Sequence, residues 1–74
     1  MNTNLPSEAT LRSIRAELVA LGTTFLEHRE VGGPLAQGLC ELVERGEAKI
    51  RYFRQGPPAF KPTRKGRKLA FLSR

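Results

Sequence analysis

Seventy-four residues make a single domain, near the size at which one hydrophobic core only just holds, and 39% hydrophobic with 27% charged residues excludes a disordered chain. One cysteine excludes an internal disulfide framework, and no apolar run nears the roughly 18 residues of a membrane span, so the expectation is a cytoplasmic protein with no membrane segment. The net charge of +6 is split: seven Glu against four Arg leave the first 48 residues at −3, while Lys49 onward carries nine cations and no acid, a field suited to a polyanion.

Residues 1–6 (MNTNLP) read as a short mobile leader without the basic and apolar regions of a secretory signal, and residues 7–74 as the domain. Ser7 stands where an N-cap belongs, with Glu8 favourably placed in the first turn. Leu11, Ile14, Leu18 and Leu21 form one apolar stripe and Gly22 a stop, so the first helix is predicted over Glu8 to Leu21. The next stretch supports two readings. Thr24 to Glu27 has the capping-box pattern of a short helix ending near Glu30, whereas Thr23 to Phe25 suits a short strand.

Gly32-Gly33-Pro34 then breaks the chain and opens another helix, predicted over Pro34 to Arg45, whose Leu35, Leu39, Leu42 and Val43 face a core. Gly38 within it weakens the helix but admits a close neighbour. After Gly46 the period changes to two. Ala48, Ile50 and Tyr52 alternate with Lys49 and Arg51, predicting a half-buried strand with a basic outer face. Gln55-Gly56-Pro57-Pro58 is a turn, Ala59 to Lys61 a returning strand ended or edged by Pro62, and Thr63 caps a final turn or helix through Arg64 to Leu72. Gly66 weakens the start of that helix, and Leu69 and Leu72 are spaced to dock on a core that also takes Phe25, Leu26, Ile50 and Phe60.

This order (helix, short element, Gly-broken turn, helix, strand, turn, strand, basic segment) resembles the winged helix-turn-helix domains of bacterial transcription regulators. Leu42-Val43-Glu44-Arg45-Gly46 looks like the end of a recognition helix entering a first wing strand, and Pro62 to Leu69 looks like the Thr-Pro-Lys-Gly segment that often follows the second. The local likeness covers about half the chain, mainly residues 39–72. It implies a small winged-helix-like α+β domain with two or three helices, a two-stranded β-wing and a basic C-terminal segment.

By that resemblance the Pro34 to Arg45 helix would enter a major groove, where the Gln37 amide matches an adenine edge. Lys49, Arg51, Arg54, Lys61, Arg64, Lys65, Arg67 and Lys68 would hold phosphates of double-stranded DNA, positioning the protein while reading little sequence. About five such contacts would weaken binding several-hundred-fold between roughly 50 and 200 mM salt. So small a surface calls for a homodimer or a partner at a specific site. The remaining outward positions of the helix are Cys40, Glu41 and Glu44, which supports a rival reading. In that reading Glu41, Glu44 and Phe53 address a protein partner, as an inhibitor or adaptor would. RNA, met by the same cations with Tyr52 or Phe53 stacking, is a third. If Tyr52 points inward, Phe53 turns outward among arginines, or is covered by Leu69 to Leu72.

Catalysis finds little support. There is no Asp, and His28 with Cys40 lacks a third orienting group at a recognisable spacing. Two soft ligands are too few for structural zinc. The glutamates, Glu47 included, read as helix-surface or helix-end residues. A non-enzymatic protein without cofactor or metal is the expectation.

Overall fold

The computed structural model describes residues 6–72, so the leader read over residues 1–6 lies outside the described residues except for Pro6. The chain folds as a small α+β domain. Helix α1 (Glu8–Leu21) leads into strand β1 (Thr24–Phe25) and a single 3-10 turn (His28–Glu30). Helix α2 (Pro34–Glu44), strands β2 (Ala48–Arg51) and β3 (Ala59–Pro62), and helix α3 (Arg64–Leu72) follow. The three strands form one antiparallel sheet in the order β1-β3-β2.

Both caps expected of α1 are present. Ser7 Oγ accepts from the Thr10 amide at 3.1 Å, and Gly22 at φ 80° returns its N–H to Leu18 O at 2.8 Å. Pro34 opens α2, which ends at Glu44, one residue short of the expected bound, with Arg45 as its C-cap. The chain leaves α2 through a Schellman turn: Gly46 sits at φ 79°, its N–H donates to Val43 O, and the Glu47 N–H reaches back to Leu42 O at 2.8 Å.

Leu11, Leu18, Leu39, Leu42 and Phe60 are fully buried and define the core between the helices and one face of the sheet. Gly38 lets α1 and α2 approach, since a Cβ there would overlap the end of the Ile14 side chain. Between residues 24 and 30 both sequence readings are met in part. Thr24 and Phe25 pair with Phe60 and Ala59, and a helical turn follows only at His28, where Glu30 Oε1 accepts from the Glu27 amide at 3.3 Å. The capping pair is therefore Glu27 and Glu30, because Thr24 is held in the sheet.

Other expectations are corrected. Leu21 is exposed, and the third core-facing position of α1 is Arg15, which lies in line with Leu11 and Leu18. Phe25 is exposed because the register turns it to the outer sheet face, opposite Ala59. Tyr52 does not point inward: β2 ends at Arg51, so the alternation stops and Tyr52 is exposed. Leu72 does not dock, remaining exposed at the end of α3, whereas Leu69 is half-buried. Glu47 is no surface residue. It is buried and its Oε1 accepts from Arg15 Nε at 2.8 Å.

The start of α3 seals this corner. Thr63 Oγ1 donates to Gly46 O at 2.6 Å and accepts from the Gly66 amide at 3.2 Å, while the Thr63 N–H donates to Glu47 O at 3.1 Å. Gly66 rests directly on the Glu47 carbonyl, where any Cβ would collide with backbone. Its cost in helix propensity is thus tied to a packing need. Above this corner Arg45 bridges α1 and α2, donating to Glu8 Oε2 at 2.9 Å and to Glu41 Oε2 at 3.0 Å. The Arg45 hydrogen bond holds the Glu8 carboxyl below its ordinary range, and the same bond with that from Glu41 raises the Arg45 guanidinium further.

Candidate nucleic-acid interface

The sheet register decides where the sequence-singled cations go. Lys49 stands directly opposite Lys61, and Arg51 opposite Ala59, with Ala48, Ile50, Phe60 and Pro62 at the alternate positions. Since Phe60 and Ala48 are in the core, Lys49, Arg51 and Lys61 project from the other face. Phe25, opposite Ala59, joins them there. Among the described residues no helix covers this face, as Lys49, Arg51 and Phe25 are all exposed. None of the three strands carries an acid. Like charges placed directly across an antiparallel pair repel, which costs a few tenths of a kcal/mol to about 1 kcal/mol. An anion lying between Lys49 and Lys61 would offset that cost.

Beyond the end of β2, Phe53 folds back over the same face. Its ring centroid lies 6.5 Å from that of Phe25, with the planes tilted by 37°. The Arg51 guanidinium stands 5.7 Å from the Phe53 centroid, in cation–π range. Phe53 is therefore partnered by Phe25 and Arg51, and the covering segment expected from Leu69 to Leu72 is not what packs on it. Ala59, opposite Phe25, is 1% exposed, whereas Phe25 and Phe53 keep 52% and 45% of their own surface. Arg54, in the loop joining β2 to β3, is exposed.

The basic residues of α3 form a separate group. This helix packs on α1, on the core side of the sheet. Two of its cations serve the fold: Lys65 Nζ donates to Arg45 O at 3.0 Å, at the C-terminus of α2 where the dipole favours a cation, and Arg67 donates to Pro62 O at 3.2 Å. Arg64 and Lys68 are exposed and one turn apart. The described cations of the last third thus do not make one surface. Lys49, Arg51 and Lys61 share a sheet face; Arg64 and Lys68 lie elsewhere.

Helix α2 presents little for base reading. Gln37 is exposed but its Nε2 leans on Gly32 O at 3.4 Å, Glu41 is half-buried on Arg45, and Cys40 and Glu44 are exposed. Sequence reasoning missed Phe25 as a surface residue. The signal that would have found it is its place beside the Thr that pairs into the sheet, but a two-residue strand has no readable period.

Among the described residues no group of three His, Cys, Asp or Glu could hold a metal, and no helix is long and apolar enough to cross a membrane. Comparison of the chain with protein-family models, with curated proteins and with solved structures found no match.

Proposed function

We propose that this protein is a small, non-catalytic winged-helix-like domain that binds double-stranded DNA, contacting phosphates through the outer face of its sheet and the β2–β3 loop. The reading rests on one observation: Lys49 and Lys61 face each other across the sheet beside Arg51, with no acid on any strand. Support for the winged-helix element order comes from the succession helix, strand, turn, helix, strand, loop, strand, helix. The contacts are mainly sequence-independent, because cations on phosphates position a protein without reading bases and α2 offers only Gln37 toward that end.

Fluorescence anisotropy of a labelled random-sequence duplex at about 50 mM salt tests this reading. Saturable binding that weakens steeply with salt is expected. No binding at that salt would overturn it.

A second reading, a protein partner or a second copy of this chain, is favoured by a different place. A shallow groove between α1 and α3 is lined by Ala16, Val19, Ala20, Arg67, Ala70 and Phe71. Sedimentation of the free protein across concentration separates a monomer from a dimer using that groove.

A further inference from the structure

The outer sheet face carries more than phosphate contact requires. Cations alone would hold a duplex backbone, yet this face also bears two half-exposed aromatic rings set side by side, Phe25 and Phe53. Exposing rings to water is unfavourable, and a small domain with one modest core has strong reason to bury them. Register holds Phe25 opposite Ala59, and Phe53 is held against Phe25 and Arg51. With centroids 6.5 Å apart and planes 37° off parallel, no base fits between them. Each ring keeps about half of its surface exposed as a platform. Arg51 stands over the Phe53 ring, 5.7 Å from its centroid, adding a planar cation of the kind that stacks on bases.

The cations stand at a useful distance from the rings. Lys49 and Lys61 lie two residues along the strands from Arg51 and Ala59, roughly 7 Å away. A strand whose base lies on Phe53 therefore places a neighbouring phosphate near the Lys49–Lys61 pair. A duplex cannot use the rings in this way, because its bases are already stacked on one another.

We propose that the outer face of the sheet docks a single-stranded stretch of DNA, with an unpaired base stacked on Phe53 and Phe25 and the adjoining phosphates held by Arg51, Lys49 and Lys61. The inference rests on the DNA-binding reading above and narrows its ligand: this protein prefers DNA with unpaired bases, such as a single-stranded tail beside a duplex. Charge complementarity selects the occupant, since the face has three cations and no acid on its strands.

The chain has no Trp, so Phe53→Trp gives a single-site reporter at the platform. Titrating this variant with oligo-dT should quench its fluorescence to saturation, whereas a duplex of equal length should leave it nearly unchanged. In anisotropy, Phe53→Ala and Phe25→Ala should each weaken oligo-dT binding about ten-fold or more, with an unaltered salt slope and unaltered duplex affinity. Circular dichroism checks that both variants remain folded, and Phe53→Leu, which keeps bulk without a ring, should lose binding as Phe53→Ala does. Oligo-dT binding that is indifferent to both rings would overturn the inference while leaving the duplex reading intact. Equal losses for duplex and oligo-dT would overturn it too, as would ring-dependent binding to oligo-U that is tighter than to oligo-dT. Absence of binding to either DNA at about 50 mM salt would instead remove the reading on which it rests.

Discussion

Arg15 Nε donates to Glu47 Oε1 at 2.8 Å across 32 residues of sequence, and both side chains are buried. The pair joins the middle of α1 to the turn that leaves α2, so it fixes the angle at which β2 enters the sheet. Removing one partner strands the other charge in the core. Glu47→Ala is expected to cost about 3 kcal/mol or more, close to the whole stability of so small a domain, whereas Arg15→Met with Glu47→Leu should recover most of the loss. Urea unfolding followed by circular dichroism measures both.

The two buried glycines should respond differently to alanine. At Gly66 a Cβ meets the Glu47 carbonyl, which is backbone already committed to Thr63. Gly66→Ala should lose about 2 kcal/mol or more, as overpacking against an immovable group does. At Gly38 a Cβ meets only the tip of Ile14, a flexible side chain. Gly38→Ala also gains up to about 1 kcal/mol of helix propensity, so its net change should stay within roughly 1 kcal/mol. Adding Ile14→Val should make the pair more stable than Gly38→Ala alone. Thermal midpoints of the three variants decide this.

Acid should release the Glu8–Arg45 link. The Glu8 carboxyl titrates below its ordinary value of 4.5 because it is hydrogen-bonded to Arg45. A carboxylate lowered by folding contributes stability that is fully present above its unfolded value and is lost as pH falls through its folded value. Glu8→Gln should therefore be slightly less stable than the parent at pH 7, and the gap should narrow as pH falls below 4.5 and close below the lowered folded value. The effect is small, since Glu8 is largely exposed, and it should shrink further in high salt. Chemical denaturation at the two pH values checks it.

Much of this fold could be read from local signals. Ser7 and Gly22 bound α1, and Pro34 and Gly46 bracket α2, because caps depend on a few neighbouring residues. What escaped were relationships set by distant partners. The core place of Arg15 had no local signal because its partner is 32 positions away, and Glu47 read as a surface residue because a Schellman turn, which no local pattern in its own side chain signals, swings it inward. For the candidate site, the outward direction of Lys49 and Arg51 was legible from their alternation, and β2 bears it out. The facing of Lys49 and Lys61, the company of Phe25 and the separation of α3 were not, because register and sheet order are tertiary facts.

The most direct test of the central claim is the log–log salt dependence of binding to a labelled duplex, compared between the parent protein and two paired variants. With Lys49, Arg51, Arg54 and Lys61 on phosphates, the parent slope should be about −3.6. Lys49→Ala with Lys61→Ala should make it shallower by about 1.8, whereas Arg64→Ala with Lys68→Ala, on the helical side of the sheet, should leave it nearly unchanged. A slope that survives loss of Lys49 and Lys61 but collapses with Arg64 and Lys68 would contradict the account and move the contact surface to α3.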